Sequence, residues 1–222
     1  MLRPEAHSHP LAAVLRQVDA ASCPARFNFH CHTLHSDGSL SAAELALQAR
    51  RLGLEHLAIT DHHRHDAHAE AVAALAAAPS AADKPELILW RGVEISCLLQ
   101  GCLVHVLALG FAEEHPSLDP YLQGAAVVGP WLQAGAVVEA IRAAGGLALL
   151  AHPARYRLPH QQLIAAAAEL GFDGAEAWYD YAMGPSWQPS PLVCEAIAAD
   201  LQERGLLQSC GTDTHGLALD GR

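Results

Sequence analysis

The chain has 222 residues, of which 51% are hydrophobic and 17% are charged. This length allows one well-buried core, and the composition excludes an intrinsically disordered chain. The formal net charge of −11 argues against non-specific binding to duplex nucleic acid, because that binding depends on lysine and arginine.

Residues 1–26 are predicted to form a helical extension on the outside of the main domain. Apolar residues recur at helical spacing from Pro10 to Ala21, and Cys23-Pro24 interrupts the pattern. The two histidines of this segment, His7 and His9, are expected to be exposed to solvent.

Apolar runs and helical patterns alternate after residue 26. The runs predict strands at 27–32, 56–60, 87–95, 103–109, 147–151, 174–178 and 207–211. The longer patterns predict helices at 41–52, 66–77, 133–144, 160–170 and 190–204. Alternation of this kind predicts parallel strands covered by helices, and seven strands favour barrel-like closure over an open sheet. Residues 27–222 are therefore predicted to be one α/β domain.

Two irregular stretches rich in glycine or proline interrupt this alternation, at residues 113–131 and 181–191. The first is predicted to be a loop or a flap over the site. None of the six cysteines belongs to a CxxC pair, and the N-terminus shows no apolar signal core. No apolar run approaches the roughly 18 residues of a membrane span. These features predict a cytoplasmic protein without a membrane partner.

Metal-capable side chains lie at or near the ends of six of the seven predicted strands. They are His30, His32, Asp37, His62, Glu94, His105, His152, Asp213 and His215. Working residues of parallel β/α folds collect at the carboxyl ends of strands. His30 and His32 alternate onto one face of a strand, and burying two imidazoles there is costly unless a partner such as a metal ion compensates.

Each of these signals has an ordinary structural explanation when it stands alone. A lone buried His105 is typical of a satisfied core residue, and a lone Glu94 is typical of a salt-bridge partner. The combination on successive strand ends favours a metal site, and mixed imidazole and carboxylate ligands suit Zn, Fe or Mn. The histidines away from strand ends are expected at the surface, namely His35, His56, His68, His115 and His160.

These residues, in this order, resemble the PHP (polymerase and histidinol phosphatase) family of metal-dependent phosphoesterases. The resemblance rests on HCHTLHSDG, ITDHH, GVEIS, the strand bearing His105, AHPARY and GTDTH. It implies a distorted (β/α)7 barrel with a trinuclear site for three divalent ions, Mn, Fe or Zn. The implied ligand sets are His30, His32, Glu94 and Asp213 for the first ion, Glu94 as a bridge with His105 and His152 for the second, and Asp37, His62 and His215 for the third.

The resemblance implies hydrolysis of phosphoesters by a hydroxide that bridges metal ions. The predicted catalytic residues are Asp37, His62, Glu94 and Asp213. Ala154-Arg155-Tyr156 resembles the branch that acts on nucleoside 3′,5′-bisphosphates and short 5′-phosphorylated oligonucleotides. Arg155 and Tyr156 are therefore predicted substrate contacts, and His63, which directly follows the TDH motif, is predicted as a third.

Several alternatives stay open at this point. Arg155 is also compatible with a surface salt bridge, and His63, Arg64 and His65 are compatible with a solvated loop. The same site could instead remove phosphate from histidinol phosphate or another small metabolite, and hydrolysis of an amide or a lactone is also chemically possible at a multi-metal site. A catalytically silent metal-binding regulatory domain is a further alternative. The chain departs from the family where TDHH replaces TDHD or TDHN, and where residues 111–132 are shorter than the branch's helical insertion.

Overall fold

The structure is a computed structural model that describes residues 4–79, 84–184 and 186–221. Its strands form one seven-stranded sheet in the order of the sequence. They are β1 (Phe27–Asn28), β2 (His56–Ile59), β3 (Ile88–Leu99), β4 (Cys102–Leu109), β5 (Leu147–Leu150), β6 (Gly174–Trp178) and β7 (Leu207–Cys210). The helices are α1 (Pro4–Ser8), α2 (Pro10–Leu15), α3 (Ala42–Leu52), α4 (Ala67–Ala77), α5 (Ala134–Ala143), α6 (His160–Leu170) and α7 (Pro191–Arg204).

Backbone hydrogen bonds close the sheet into a barrel by joining the residues directly after the first strand to the last strand and to the residues that follow it. The N–H of Phe29 donates to the carbonyl of Cys210 at 2.9 Å, and the N–H of Asp213 donates to the carbonyl of His30 at 2.8 Å. An isolated bridge pairs Cys31 with Thr214 in parallel. The prediction of a distorted seven-stranded α/β barrel is confirmed.

Strand β4 departs from the predicted parallel arrangement. It runs antiparallel to both neighbours, β3 and β5. The connection from β3 to β4 is the pair Gln100-Gly101, whose φ angles are 52° and 67°. A parallel neighbour needs a crossover of a dozen residues or more, whereas two residues with positive φ make a hairpin. The expectation of uniformly parallel strands is therefore wrong at β4, and β3 continues to Leu99 instead of ending near residue 95.

The reversal of β4 still brings its histidine to the working end of the barrel. His105 lies opposite Ser96 in the β3–β4 register, close to the carboxyl end of β3. An antiparallel strand presents its amino-terminal half where its neighbours present their carboxyl ends. His105 therefore joins the side chains that follow β1, β2, β3, β5 and β7.

The N-terminal segment contains two histidines that were predicted to be exposed, His7 and His9. Helix α2 ends at Leu15, and its buried Leu11 packs against the barrel with Phe27. His7 is exposed, as expected. His9 is half-buried instead. Its Nδ1 accepts the N–H of Leu11 at 3.1 Å and so caps α2, and its Nε2 lies 3.1 Å from the carbonyl oxygen of Gly110.

The remaining histidines predicted at the surface are half-buried instead, namely His35, His56, His68, His115 and His160. His35, for example, pairs with Glu70 of α4 at 2.9 Å. Within the described residues, no helix combines the length and apolarity that a membrane crossing requires.

Candidate metal centre

Four buried side chains form the innermost group of the centre. The Nε2 atoms of His30 and His32 both lie 3.2 Å from Oε2 of Glu94. The same two nitrogens lie 3.3 and 3.2 Å from Oδ1 of Asp213. All four residues are buried, and their donor atoms lie within 4.8 Å of one another. This group coincides with the ligand set implied for the first ion.

Glu94 also faces a second group. Its Oε1 lies 2.8 Å from Nδ1 of His105 and 3.4 Å from Nε2 of His152. His62 contributes as well, with its Nδ1 3.5 Å from Oε2 of Glu94. Because its two oxygens face different sets of imidazoles, Glu94 has the position of a ligand shared between two ions.

A third and more exposed group surrounds Asp37. Its Oδ2 lies 3.3 Å from Nε2 of His215 and 3.7 Å from Nε2 of His62. Its Oδ1 lies 3.5 Å from Nδ1 of His32, which therefore borders this group as well as the first. The structure thus brings all nine sequence-predicted side chains into one cluster of three adjoining groups.

The loop that carries Asp37 is folded by a carboxylate that the sequence analysis did not single out. Asp61 is buried and accepts hydrogen bonds from the backbone N–H and the hydroxyl of Thr33, at 2.7 and 2.6 Å. It also accepts the hydroxyl of Ser36 at 2.6 Å. A Cβ at Gly38 would overlap the carbonyl group of His32, so the tight return of this loop requires glycine.

Two of the clustered residues have strained backbones. The φ angles of His152 and Asp213 are 27° and 51°, in a region that non-glycine residues rarely adopt. Such strain persists where surrounding contacts hold it, and it concentrates at functional sites. The N–H of His152 donates to Oε2 of Glu176 at 2.9 Å, and the hydroxyl of Tyr179 donates to Oδ2 of Asp213 at 2.6 Å.

Electrostatics in the cluster keep the carboxylates ionised. Burial alone would raise the pKa of Glu94, but His30 and the contact with His105 lower that pKa well below its ordinary value. Burial likewise opposes ionisation of Asp213, yet His30 and His32 lower its pKa. Burial would lower the pKa of His32, whereas its contacts with Asp213 and Glu94 raise the pKa to about 9.

The donor set fits divalent cations. Among the described residues, four buried imidazole nitrogens have no hydrogen-bond partner, and three of them belong to the cluster, namely Nε2 of His30, Nε2 of His32 and Nδ1 of His152. A buried polar atom without a partner is costly, and a cation coordinated at the two Nε2 atoms of the first group would remove that cost there. Imidazole with carboxylate is the ligand mixture that Zn, Fe and Mn accept.

A cavity of about 330 Å³ opens onto this cluster, and Arg155 and Tyr156 join its lining. One guanidinium nitrogen of Arg155 donates to Oδ2 of Asp213 at 3.0 Å and to the hydroxyl of Tyr179 at 2.8 Å. The hydroxyl of Tyr156 accepts the backbone N–H of His105 at 2.8 Å. Arg155 therefore makes a salt bridge, but to a clustered carboxylate in the cavity and not on the outer surface.

His63 has a different environment from the one its proximity to His62 suggested. It is buried, with Nδ1 3.1 Å from the carbonyl of Tyr121 and Nε2 accepting the N–H of Ser96 at 3.2 Å. Burial lowers the pKa of its imidazole, which suits this neutral arrangement. Both ring nitrogens are thus engaged with backbone groups.

Comparison with known proteins agrees with this geometry. The family model described as PHP domain matches residues 28–127, which include His30 through His105 of the cluster. Residues 28–127 match the PHP domain family. A 5′-3′ exoribonuclease of Haemophilus influenzae is 32% identical over 143 residues, covering 59% of this chain and 50% of that protein. The chain therefore matches about half the length of this relative.

Solved structures of other proteins share this barrel fold. A proposed metal-dependent phosphoesterase from Bifidobacterium adolescentis superposes with a TM-score of 0.68 at 22% identity, covering 90% of this chain and 91% of that one. An amidohydrolase from Chromobacterium violaceum, solved with bound sulfate and no metal, superposes with a TM-score of 0.72 at 22% identity. The match covers 89% of this chain and 90% of that one. The prediction of a PHP-type hydrolase, a metal-dependent phosphoesterase, agrees with this fold and with the family match.

Sequence reasoning missed three polar residues that support the cluster, namely Asp61, Glu176 and Tyr179. Of the three, Glu176 had the clearest sequence signal, because it is a carboxylate in the middle of the apolar run Gly174–Trp178. Strand β6 was the one predicted strand without a metal-capable residue at its end, and Glu176 and Tyr179 lie in it or directly after it.

Proposed function

We propose that this chain hydrolyses phosphoesters at a trinuclear metal site and that its substrates are nucleotide-type phosphates. These are nucleoside 3′,5′-bisphosphates or short 5′-phosphorylated oligonucleotides. The observation that carries the proposal is the convergence of nine imidazole and carboxylate side chains on a cavity that also holds a guanidinium. The PHP domain match and the fold of the structural relatives support it.

The three groups of the cluster would hold three divalent ions, Mn, Fe or Zn. His30, His32 and Asp213 would hold the first, His105 and His152 the second, and Glu94 would be shared between the two. The third would lie among Asp37, His62 and His215. Ions held by these residues would supply Lewis-acid charge and would lower the pKa of a bound water molecule, which would be the nucleophile for phosphorus.

The chain's own side chains would orient the phosphate. Arg155 uses one nitrogen to hold Asp213, and its planar fork has further N–H groups to donate to phosphoryl oxygens. Burial raises the pKa of Tyr156 well above its ordinary value, so its hydroxyl stays protonated. Because that hydroxyl accepts from His105, its own proton can be donated toward a phosphoryl oxygen. His63 would act indirectly, by holding β3 against the loop at Tyr121.

Two observations favour nucleotide-type substrates. The relative from Haemophilus influenzae carries the name 5′-3′ exoribonuclease, and its similarity spans 59% of this chain. The pair Arg155-Tyr156, which suggested this class of substrate, lies in the wall of the cavity next to His152 and Asp213. A single-stranded substrate also suits an acidic chain, because recognition of one phosphate by bound cations needs no basic surface.

A substrate comparison tests the proposal. Protein loaded with Mn²⁺ is given a nucleoside 3′,5′-bisphosphate, a 5′-phosphorylated dinucleotide and histidinol phosphate, and released phosphate or nucleotide is measured. We expect kcat/KM for a nucleotide-type substrate to exceed that for histidinol phosphate by about 100-fold, equivalent to about 2.7 kcal/mol. A preference for histidinol phosphate would contradict the proposal of nucleotide-type substrates. Inactivity toward all three compounds would contradict the proposed phosphoesterase activity.

A matched pair of variants tests the contact with the phosphate. Arg155→Lys removes the planar fork beside Asp213, whereas Arg157→Lys changes an exposed arginine that donates to the carbonyl of Gly101. We expect a fall in kcat/KM of about tenfold or more for Arg155→Lys only, since a charge-assisted hydrogen bond contributes about 1.5–3 kcal/mol. Equal effects of both substitutions would contradict this role.

A further inference from the structure

Strand β6 places a fully buried carboxylate behind the metal cluster. Glu176 has no exposed surface, and both of its oxygens lie 3.2 Å from Nδ1 of His30. Its Oε2 also accepts the backbone N–H of His152 at 2.9 Å. One carboxylate thus contacts a residue of the first group and a residue of the second, from the side opposite to Glu94.

The contact with His30 determines how that imidazole faces the cluster. An ionised carboxylate only accepts hydrogen bonds, so the proton of a neutral His30 ring belongs on Nδ1. The lone pair of Nε2 then points toward Glu94 and Asp213, the two carboxylates 3.2 and 3.3 Å away. Carboxylates in this position fix the ring orientation and raise the basicity of ligating histidines.

The contact with His152 holds a strained backbone. The φ of His152 is 27°, and its N–H has Glu176 as a charged acceptor. Charge-assisted hydrogen bonds to backbone N–H groups are stronger than neutral ones, so this bond can offset part of the strain. Glu176 therefore stabilises the backbone from which the His152 ring reaches Glu94.

The neighbouring chain is shaped around this carboxylate. Gly211 follows β7, and a Cβ at that position would lie 2.8 Å from Oε1 of Glu176 and would overlap Cβ of His30. Only glycine leaves room for the His30–Glu176 contact at this point. The packing at Gly211, after β7, thus requires the same arrangement that the hydrogen bonds of His30 and His152, after β1 and β5, favour.

We propose that Glu176 is a positioning residue that orients His30 and His152 together, and so links the first and second metal positions from outside the cluster. The proposal rests on the metal site of the proposed function. It predicts that loss of the Glu176 carboxylate weakens metal binding at both positions, although Glu176 itself binds no ion.

Substitution of Glu176 by glutamine tests this role with little change in shape. A glutamine places an NH₂ group where one of the two carboxylate oxygens was. In either orientation this NH₂ faces the Nδ1–H of His30, and in one orientation it also faces the N–H of His152. We expect the Zn²⁺ affinity of Glu176→Gln, measured by competition with a chelating dye, to fall by about 10- to 100-fold. Asp173→Asn is the matched control, because Asp173 is a buried carboxylate just before β6 that accepts the N–H of Ala148.

A second readout separates positioning from a general loss of stability. In protein loaded with diamagnetic Zn²⁺, the His30 Nδ1–H proton is followed by NMR and assigned by its absence in His30→Gln. We expect a downfield, slowly exchanging resonance in the wild type and in Asp173→Asn. In Glu176→Gln it should move upfield or exchange faster, while urea unfolding of both metal-free variants reports any change in stability.

The outcomes are decisive in both directions. Zn²⁺ affinity and a His30 resonance that match the wild type in Glu176→Gln would overturn the proposal. If that variant does not fold, Glu176→Asp takes its place, because its carboxylate is one methylene too short to reach His30, and undiminished affinity there would equally overturn it. Since both readouts concern metal binding, they decide the role of Glu176 even if no phosphoester proves to be a substrate.

Discussion

At the scale of single residues, Asp37 gives the most direct test of the proposed third metal position. Its side chain is 53% exposed, more than any other member of the cluster, and it contacts His32, His62 and His215. Substitution of an exposed side chain outside the core usually changes stability by about 0.5 kcal/mol or less. An effect of this residue on turnover can therefore be separated from an effect on folding.

We expect Asp37→Ala to reduce kcat by at least about 100-fold, equivalent to about 2.7 kcal/mol of transition-state stabilisation. The physical reason is the loss of the carboxylate shared by the imidazoles of the third group. Steady-state phosphate release measures the effect, and Asp66→Ala serves as the control, since Asp66 is similarly exposed and pairs with Arg64. Full activity of Asp37→Ala would refute the trinuclear proposal.

His56 is predicted to make folding sensitive to mild acid. Burial chiefly lowers the pKa of its imidazole, and its Nδ1 accepts the indole N–H of Trp90 at 3.1 Å. A folded-state pKa below the unfolded value of about 6.5 means that the unfolded chain binds the proton more readily. The contribution of neutral His56 is therefore present above about pH 6.5 and is lost as the pH falls below it.

His56→Gln keeps an acceptor for Trp90 but does not titrate. Urea denaturation gives the difference in unfolding free energy between the wild type and this variant. We expect this difference to favour the wild type more at pH 7.5 than at pH 5.5, and to change by about 1 kcal/mol at most between the two pH values. Comparison with the variant cancels titration elsewhere in the chain. A difference that is constant between the two pH values would show that His56 is not responsible.

The clustered residues could be predicted from the sequence for a physical reason that does not apply to Glu176 and Tyr179, which contact them from outside the cluster. His30, Glu94 and Asp213 are metal-capable groups at strand ends, where the fold collects side chains whatever the details of packing. Glu176 and Tyr179 act by contacts with residues far away in sequence, His30 and Asp213. Such contacts depend on the register of β6 against β7, which no local pattern specifies.

At the scale of elements, the predicted helices were recognised from local chemistry. Helix α3 begins with a capping box, in which the hydroxyl of Ser41 accepts the N–H of Glu44 and the Glu44 carboxylate accepts the N–H of Ser41. Helix α6 has the predicted bounds, His160–Leu170, with Gly171 in a left-handed conformation after it. The direction of β4 was not predictable in the same way, because Gln100-Gly101 is a weak hairpin signal and the flanking apolar runs fit either direction.

The capping box predicts a measurable contribution to stability. We expect Ser41→Ala to lower the unfolding free energy by about 1 kcal/mol, because it leaves an N–H group of the first turn without its side-chain acceptor. Ser39→Ala is the control, since Ser39 is an exposed residue two positions before the cap. Urea denaturation of both variants decides the matter, and equal stability of Ser41→Ala and wild type would contradict the assigned role.

At the scale of the whole molecule, the site exists only in the closed barrel. His30 follows the first strand and Asp213 follows the last, and the hydrogen bond from Asp213 N–H to the carbonyl of His30 joins them at 2.8 Å. Ions that bind between these ends should hold the barrel closed. A ligand that binds only the folded state adds about 2.7 kcal/mol of stability at 100 times its Kd.

Metal removal should therefore abolish both the activity and this added stability. After prolonged chelation and verified loss of metal, we expect no phosphoester hydrolysis and a lower unfolding temperature, and we expect added Mn²⁺ or Fe²⁺ to restore both. Glu94→Gln is the informative comparison, because Glu94 is the carboxylate shared by the first two groups and its loss should remove most of the metal-dependent rise in unfolding temperature. Hydrolysis that persists in protein shown to be free of metal would refute the metal-dependent mechanism. An unfolding temperature that does not change when metal is added would show that the ions do not bind where His30 and Asp213 close the barrel.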